Sequence, residues 1–442
     1  MSLLNLPLYA ERRRRFMAAM EGGGAIFLAP PARVRSRDTD HAYRPDSDFF
    51  YLTGFREQGA ALLLVPDHPE HQVIAFVQPK DAHMETWHGR RLGVDAAPVH
   101  LGVDAAYPID EIERILPKYL VGVPKLYCQL GVWKEHDELL LRLLPRLGNR
   151  HTSPPDALIA TGRLIHEMRL RKDATEISLM RQAAAITATA YQDALRFIRP
   201  GHFEYEVQAA LENAYRRLGG EGPAYHPIVA GGENATILHY NENDAPLQAG
   251  DLLLIDSGAE YQYYACDVTR TYPIGGTFSE AQRRVYDLVL RAEKEAIEKV
   301  RVGEHVKGYH EHAVRVLTAG MVELGWLHGS VDQLIETEAY KRFYMHGTGH
   351  YLGLDTHDVG RYKINDQWRA IEPGMVVTVE PGLYVPHGTP GVDPIFWGIG
   401  IRIEDDILVG DDGAPDNLTS AIPKEAVAIE TLLRQSAGSA VV

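Results

Sequence analysis

The sequence predicts a two-domain protein in which an α/β domain is followed by an α+β domain. The chain has 442 residues, whereas one hydrophobic core seldom extends beyond about 250 to 300 residues. Short β-like runs alternate with helical runs over residues 1–150, and longer helices alternate with strand-rich blocks after them. A proline-rich break, His-Thr-Ser-Pro-Pro-Asp from His151, precedes the charged helical stretch Gly162 to Lys172. We therefore predict domains over residues 1–172 and 173–442.

The N-terminal domain is predicted from apolar residues that recur at strand or helix spacing. It contains no Gly-x-Gly-x-x-Gly turn and no Walker-type loop, so nothing in it favours nucleotide binding. Strands are predicted over Ala25–Ala29, Ala61–Val65, Val73–Val77 and Lys125–Gln129, and helices over Tyr107–Leu120 and Trp133–Leu147.

The C-terminal domain begins with a helix start signal. Asp173 and Glu176 stand at capping-box spacing ahead of a long helix that Pro200 and Gly201 end. Beyond this helix, helical patterns alternate with blocks rich in β-branched residues. Helices are predicted over 203–218, 279–300 and 305–325, and strands within 252–273, 375–385 and 399–409.

Charge and hydropathy disfavour two classes of partner. The chain carries 45 Lys and Arg against 60 Asp and Glu, a formal net charge of −15, which disfavours a nucleic acid bound through phosphate neutralisation. No apolar run approaches the roughly 20 residues that cross a bilayer, so no membrane partner is expected. The apolar stretch Leu3–Leu8 precedes the basic run Arg12–Arg15, the reverse of a secretory signal. We therefore expect a cytoplasmic protein.

Two acids interrupt the apolar block DLLLIDSGAEYQYYACDVTRTYPI, which runs from Asp251 to Ile274. The midpoint between Asp256 and Asp267 falls in the Tyr261-Gln262 region, so a hairpin centred there sets the two carboxylates opposite each other. Directly opposed like charges destabilise a hairpin. A cation is therefore expected between them, unless one acid is a turn residue and the other faces solvent.

A glycine-rich segment with three histidines follows. Residues 345–360 read MHGTGHYLGLDTHDVG and contain His346, His350 and His357. By themselves they indicate either a metal or substrate site or a chance surface cluster. Two later β-like runs, GMVVTVEPGLYV and GIGIRIEDDILV, each contain an isolated acid, Glu380 and Glu404. Such a carboxylate is costly to bury unless it is paired or coordinated.

One explanation accounts for all four acids. Asp256, Asp267, Glu380 and Glu404 carry the negative charge that balances two divalent cations, and one histidine would complete a dinuclear metal site. Oxygen-rich ligation with a single imidazole favours Mn²⁺, with Co²⁺, Fe²⁺ or Zn²⁺ as alternatives. Two metal ions about 3.5 to 4 Å apart generate a nucleophilic hydroxide and stabilise both oxygens of a tetrahedral intermediate. The predicted reaction is hydrolysis of an amide.

The order of these motifs resembles that of the pita-bread metallopeptidases, and most closely that of bacterial aminopeptidase P (Xaa-Pro aminopeptidase). The shared motifs are two Asp separated by ten residues, then HGTGH, VEPG and GIRIED. The likeness extends to YRPDSDFFYLTGF from Tyr43, TWHGRRLGVDAAP from Thr86 and HEMRLRK from His166. Methionine aminopeptidase shares the catalytic fold but lacks such an N-terminal domain. The resemblance implies a creatinase-like α/β domain, for oligomerisation and substrate access, before a pita-bread α+β catalytic domain.

The resemblance also implies a ligand set. Asp256 would bind one metal ion, and Asp267 and Glu404 would bridge both. His350 and Glu380 would complete the coordination of the second ion. All five positions are filled in this sequence.

Further residues resemble those that act on the substrate. His239 and His357 would hold the scissile carbonyl and stabilise the oxyanion, and His346 would line the proline pocket. Arg402 would join a hydrogen-bond network with Tyr384 and Asp256, as outer-shell partners of metal ligands do. The predicted catalytic residues are His239, His357, Glu380 and Arg402, and the predicted substrate-binding residues are His239, His346, His357 and Tyr384.

The implied function is a metal-dependent aminopeptidase that uses a metal-bridging hydroxide to release the N-terminal residue from peptides with proline second. A homo-oligomer of two or four subunits is expected, and Trp87 and Asp38 resemble residues that approach a neighbouring subunit's site. Two alternatives stay open, a prolidase restricted to Xaa-Pro dipeptides and a non-catalytic pita-bread binding protein. The five filled ligand positions count against the second alternative.

The remaining acids and histidines near the motifs have simpler interpretations. Asp405 and Asp406 directly follow Glu404, and we expect solvated or strand-end acids there rather than further ligands. We expect surface or packing roles for the histidines outside the motifs, which are His226, His310, His312 and His328.

Overall fold

The structure, a computed structural model, describes residues 6–438. The chain divides into two compact units, one ending at Met168 and the other beginning at Arg169. Part of the stretch Leu3–Leu8, on which the expectation of a cytoplasmic protein rests, lies outside the described residues. Within 6–438, no helix has both the length and the apolar character that crossing a membrane requires.

The first unit contains one mixed sheet of six strands, in the order β6-β5-β4-β1-β7-β8 along the sheet. The central pairs are antiparallel and the outer pairs are parallel. In chain order the elements are α1 (Leu6–Ala19), β1 (Gly24–Leu28), β2 (Val34–Ser36), β3 (Thr39–Asp40), α2 (Ser47–Thr53), β4 (Ala61–Leu64), β5 (Val73–Val77), α3 (Ala82–His88), α4 (Ala97–Leu101), β6 (Ala105–Pro108), α5 (Ile112–Leu120), β7 (Lys125–Cys128), α6 (Lys134–Leu143), β8 (Ala157–Ala160) and α7 (Gly162–Leu170), in which the boundary between the units falls.

The four strands predicted in this unit correspond to β1, β4, β5 and β7. The helix predicted over Tyr107–Leu120 is wrong in its first turn. Ala105–Pro108 instead forms β6, which pairs with β5 in parallel, and α5 begins only at Ile112. Sheet pairing overrides the helical pattern here, and the edge position of β6 accommodates Pro108, which has no N–H to donate.

The second unit contains six helices and several small sheets among its described residues. Its elements are α8 (Ala174–Ala194), α9 (Glu204–Arg217), β9 (Gly222–Pro223), β10 (Ile228–Gly231), β11 (Leu252–Asp256), β12 (Ala259–Tyr261), β13 (Tyr264–Ala265), β14 (Thr269–Pro273), α10 (Glu280–Ile297), α11 (Gly308–Glu323), α12 (Val331–Glu336), β15 (Lys363–Ile364), β16 (Gln367–Trp368), β17 (Val376–Val379), β18 (Gly382–Val385), β19 (Ile399–Arg402), β20 (Asp405–Val409), β21 (Pro415–Asn417) and α13 (Ala426–Gly438).

The helices of this unit follow the sequence pattern closely. The capping box predicted at the start of α8 is confirmed, because Asp173 accepts from the Glu176 N–H and the Glu176 side chain accepts from the Asp173 N–H. The three further helices predicted from apolar spacing correspond to α9, α10 and α11. The buried Tyr191 of α8 donates a 2.6 Å hydrogen bond to the Val268 carbonyl, which joins this helix to the hairpin that carries the first two acids.

The first ladder of this unit carries Asp256 and Asp267. The pairs β11–β14 and β12–β13 are antiparallel, share one register and turn at Gln262–Tyr263. Both turn residues have positive φ, as tight hairpin turns require. The predicted register is therefore wrong by one residue at the turn, since Asp256 pairs with Thr269 and Asp267 lies opposite Gly258. The two acids are diagonal neighbours on one face rather than direct partners.

The second ladder carries Glu380 and Glu404. The β-like runs predicted within 375–385 and 399–409 each form two strands, with a break at the acid. The pairs β17–β20 and β18–β19 nevertheless share one antiparallel register, so Glu380 and Glu404 lie opposite each other at the gap between the pairs. The acids thus occupy positions where ladder pairing is interrupted and the side chains are available for other contacts.

Candidate metal centre

The two ladders bring acids and a histidine together at one place. Ligand atoms of Asp267, His350 and Glu404 all lie within 4.8 Å of one another. The ring nitrogen Nε2 of His350 is 3.5 Å from Asp267 Oδ2 and 3.8 Å from Glu380 Oε1. Asp256 joins the same group through Tyr225, whose hydroxyl lies 2.6 Å from Asp256 Oδ1 and 2.5 Å from Asp267 Oδ1.

The orientation of His350 follows from its neighbours. Its Nδ1 lies 3.0 Å from the Tyr351 carbonyl, which can only accept, so Nδ1 carries a proton. In the neutral ring, the unshared electron pair of Nε2 is directed at Asp267 and Glu380, two groups that are also electron-rich. Burial lowers the pKa of His350, but Asp267 and Glu380 outweigh burial and raise it to about 9. This position therefore favours a cation between the imidazole and the carboxylates.

The carboxylates themselves are crowded and poorly solvated. Burial raises the pKa of Asp256, with Arg402 opposing the shift and Asp267 adding to it. Burial also raises the pKa of Glu380 to about 7, although His350 and Arg402 oppose it. The pKa of Glu404 lies well above its usual value because of burial and the neighbouring carboxylates. Positive charge is thus favoured among these oxygens.

A connected set of hydrogen bonds flanks the acids on the Asp256 side. The buried Arg402 donates to Asp256 Oδ2 at 2.6 Å, to the Tyr384 hydroxyl at 3.0 Å and to Thr269 Oγ1 at 3.1 Å. Tyr384 also lies 2.8 Å from Nε2 of His346. Arg402 therefore places one positive charge at Oδ2 of Asp256, the oxygen that does not accept from Tyr225.

This network also determines the protonation of His346. The Tyr384 hydroxyl accepts from Arg402, so its single proton is available for Nε2 of His346, and Nδ1 donates to the Gly347 carbonyl at 2.7 Å. Burial, followed by Arg402, lowers the pKa of His346 to about 3. His346 is consequently a neutral ring at physiological pH.

His239 and His357 lie at the exposed side of the group. The ring of His357 is exposed, and its centroid is 4.1 Å from that of His350. Burial and then His350 lower the pKa of His357, and His239 contributes to the same shift. His239 also contributes, after burial and Arg402, to the low pKa of His346. His239 is therefore within electrostatic range of both other imidazoles.

The expectation for Asp405 and Asp406 is wrong in one respect, because neither acid is solvated. Asp405 does begin β20 and Asp406 follows it, but they are only 0% and 2% exposed. Asp405 accepts from Arg270 at 2.7 Å and pairs with Lys424, which also contacts Glu293. Because these partners lie far away in the sequence, the local pattern after Glu404 gave no sign of them. Asp405 and the groups around it form a buried ionic cluster behind the candidate site.

Sequence reasoning missed several residues of the site. Tyr225 stands in no motif, yet it contacts two of the acids. Thr269 donates to Glu404 Oε2 at 2.7 Å and could have been found, since it lies two residues after Asp267 on the same strand face. Thr348, within HGTGH, lies 2.8 Å from Nδ1 of His310, a side-chain hydrogen bond that the expectation of a surface or packing role for His310 did not include.

The donor set suits divalent cations. Carboxylate oxygens with one imidazole nitrogen are ligands that Mn²⁺ and similar ions accept. In the neutral form of His350, Nε2 carries no hydrogen, yet this atom is directed at two carboxylates. This arrangement of electron-rich atoms is the observation that most favours a metal ion here. The residues present therefore fit a metal centre.

Comparison with known families identifies the class of protein. The family described as Metallopeptidase family M24 matches residues 178–411, and the N-terminal domain of aminopeptidase P matches residues 9–127. The chain belongs to metallopeptidase family M24, which implies one or more divalent metal ions. The predicted combination of an α/β N-terminal domain with a pita-bread catalytic domain is confirmed by these two matches.

Individual relatives narrow the class further. The chain is 44% identical over 426 residues to the Xaa-Pro aminopeptidase of Haemophilus influenzae, with 96% of each chain covered. It superposes on the structure of aminopeptidase PepP from Pseudomonas aeruginosa with a TM-score of 0.96 and 43% identity, covering 99% of this chain and 100% of that one. Zinc-substituted aminopeptidase P from E. coli in complex with product gives a TM-score of 0.94 and 40% identity, covering 98% and 99%. The predicted resemblance to bacterial aminopeptidase P is confirmed.

Proposed function

We propose that this chain is a metal-dependent Xaa-Pro aminopeptidase, which releases the N-terminal residue from peptides whose second residue is proline. The observation that carries the proposal is the convergence of Asp267, His350 and Glu404 in a chain that matches such aminopeptidases over nearly its whole length. A chain that had lost catalysis would not need to keep this costly group of buried acids.

The proposed metal ligands are those predicted from the sequence: Asp256, Asp267, His350, Glu380 and Glu404. When bound, the ions would lower the pKa of water to supply a nucleophile at neutral pH and would polarise the scissile carbonyl. Glu380 is the carboxylate proposed to take up and return the proton of the attacking water. Arg402 opposes the rise that burial causes in the pKa of Asp256, and it orients the carboxylate through its 2.6 Å contact.

Proline specificity is proposed to depend on His346 and Tyr384. The nitrogen of an Xaa-Pro amide belongs to the proline ring and carries no hydrogen, so a site that requires an N–H there would reject the substrate. His346 is neutral and its Nε2 is occupied by Tyr384, so the ring presents an uncharged face to an apolar neighbour. Such a surface suits a pyrrolidine ring.

His239 and His357 are proposed to contact the carbonyl oxygen of the bond that breaks. Both are exposed beside the acids, and a neutral imidazole can donate one N–H to a developing oxyanion. Donors placed in advance at such an oxygen are a large contribution to catalysis.

The finer predictions are retained as parts of this proposal. Mn²⁺ is the proposed ion because the donor set is rich in oxygen, and elemental analysis of protein purified without added metal tests it. The cytoplasm is the proposed compartment, which cell fractionation tests.

A homo-oligomer of two or four subunits, assembled through the N-terminal domain, is also proposed, and light scattering would measure its size. Trp87 is 72% exposed and Asp38 is exposed, which is compatible with the proposed approach to a neighbouring subunit.

A peptide panel tests the proposed cleavage rule. Arg-Pro-Pro peptides of five residues, Xaa-Pro dipeptides and N-acetylated versions of the pentapeptides are incubated with the Mn²⁺-loaded protein and examined by mass spectrometry. We expect release of one residue from the free pentapeptides at least as fast as from dipeptides, because nothing in the rule limits chain length. Cleavage of dipeptides alone would replace this proposal with a prolidase. Cleavage of the acetylated peptides would contradict both.

A further inference from the structure

Glu204, the first residue of α9, is a fully buried carboxylate surrounded by hydrogen-bond donors. Its Oε1 accepts from the Gly231 N–H at 2.7 Å and from the Asn234 side chain at 3.1 Å. Its Oε2 accepts from the Tyr240 hydroxyl at 2.9 Å and from the Ala245 N–H at 2.8 Å. The side chain is 0% exposed, and no cation pairs with it among residues 6–438. Four neutral donors therefore satisfy its charge.

The four donors come from the two ends of one segment. Gly231 and Asn234 stand at the start of residues 231–245, and Tyr240 and Ala245 stand toward its end, so one carboxylate closes the segment into a loop. His239 lies in this loop, directly before the anchored Tyr240. The imidazole is exposed and makes no hydrogen bond or ion pair within the described part of the chain, so it is available to a ligand.

The opposite side of the loop lies on the strand that leads to the site. A Cβ atom at Gly400, in β19, would lie 2.1 Å from the Ala235 carbonyl, so only glycine allows this close approach. β19 continues to Arg402, which contacts Asp256. The loop is thus held between Glu204 on one side and the strand of the candidate site on the other.

A carboxylate suits the position of Glu204 because it only accepts hydrogen bonds. All four partners donate, and a carboxylate can accept at each oxygen without a competing N–H. Its position in the first turn of α9 also places the negative charge at the favourable end of the helix dipole. Glutamine would turn an NH₂ group toward two of the donors and lose about half of the bonds.

We propose that Glu204 is a positioning residue for His239, holding the 231–245 loop so that this imidazole meets the substrate carbonyl. The inference rests on the proposed function, in which His239 contacts the scissile carbonyl. Glu204 itself touches neither the substrate nor the acids of the site. Its effect on the reaction would pass through His239.

A double-mutant cycle tests the proposal. Glu204→Gln should lower kcat by about 10- to 100-fold, the cost seen when an outer-shell partner is removed, with bound metal unchanged. In a His239→Ala background the same substitution should change kcat by less than about twofold, because its target is already absent. Glu206→Gln is the matched control, since Glu206 caps the same helix turn through the Phe203 N–H and does not contact the loop. It should leave kcat unchanged.

Hydrogen exchange gives a readout that does not depend on activity. The Gly231 and Ala245 amides, which donate to Glu204, should exchange faster in Glu204→Gln and unchanged in Glu206→Gln. Asn234→Ala removes one donor and should produce a smaller change in the same direction, even if Glu204→Gln folds poorly. Unchanged loop exchange, or an equal loss of kcat with and without His239, would overturn the proposal. Failure of the wild-type protein to cleave Xaa-Pro peptides would instead overturn the proposed function, while the exchange result would still report on the anchor.

Discussion

The acids of the candidate site extend from paired strands, whereas the imidazoles proposed to meet the substrate extend from segments outside strands. Glu380 and Glu404 face each other across a ladder with one register on both sides of them. His239 and His357 lie in irregular segments, in which the buried acids Glu204 and Asp358 accept several of the hydrogen bonds. The acids of the site therefore stand on continuous backbone ladders, whereas the segments of the two imidazoles are held partly by side chains.

A buried carboxylate also holds the segment that carries His357, but its hydrogen-bond partners are of a different kind. Asp358 follows His357, and its carboxylate accepts from Arg169 at 2.6 Å and from Lys172 at 2.9 Å, all three side chains being nearly fully buried. Glycine is required at position 353, where a Cβ would lie 2.3 Å from Asp358 Oδ2. Glu204 is satisfied by neutral donors, whereas Asp358 is satisfied by two cations. Removing Asp358 should therefore cost more stability, since two buried charges lose their partner.

The largest expected effect on activity comes from removing an acid of the second ladder, which carries Glu380 and Glu404. Glu404→Ala removes one acid from the group of Asp267, His350 and Glu404, so bound metal and kcat/KM should fall together, by more than the roughly 100-fold typical of outer-shell changes. Elemental analysis and kinetics on the same preparation measure both. Two metal ions per chain with full turnover would show that Glu404 is not a ligand. Asp267→Ala should behave in the same way.

The next largest effect distinguishes an imidazole that contacts the substrate from the acids that bind metal. His357→Ala should keep its bound metal yet lower kcat by about 10²- to 10³-fold, as removal of one oxyanion donor does elsewhere. Metal content is measured beside kcat in the same sample. Loss of metal in this variant would make His357 a ligand, and the five-residue ligand set would then be wrong.

A smaller effect on kcat is expected from Asp358, the buried acid beside His357. Asp358→Asn should lower kcat by about 10- to 100-fold and should add little in a His357→Ala background. Glu372→Gln is the matched control, because Glu372 pairs with Arg171 of the same segment but both side chains are partly exposed. Exposed pairs contribute little to stability. An equal loss of kcat in Asp358→Asn with and without His357 would indicate a general effect on the fold.

The smallest effect concerns the ionic cluster behind the second ladder. Burial, assisted by Asp405, raises the pKa of Glu293 to about 8, above the value of 4.5 for the free side chain. The folded protein therefore holds a proton that the unfolded chain releases, and stability falls as pH rises from about 4.5 through 8. Glu293→Gln removes this dependence. The urea midpoint should fall less between pH 6 and pH 9 in the variant than in the wild type, with kcat at neutral pH nearly unchanged; an identical fall would contradict the assignment.

Much of this protein was determined by local sequence pattern. Apolar spacing predicted the long helices, and the capping residues Asp173 and Glu176 predicted where α8 begins, because both signals act within a few residues. Isolated acids in apolar runs, such as Glu380 and Glu404, pointed to a metal centre because an unpaired buried carboxylate is too costly to keep. The family membership and the two-domain architecture follow from the same motifs.

Only the tertiary structure decided which partners meet. Asp405 begins β20, as a strand-end acid would, but it is fully buried against Arg270, which is 135 residues away in the sequence. Tyr225 reaches Asp267 across 42 residues, and Glu204 reaches Ala245 across 41. A contact over such a separation leaves no periodic or spacing signal in either segment. The turn register of the first hairpin also escaped sequence reasoning, because two non-glycine residues, Gln262 and Tyr263, adopt the positive φ values that move the turn by one position.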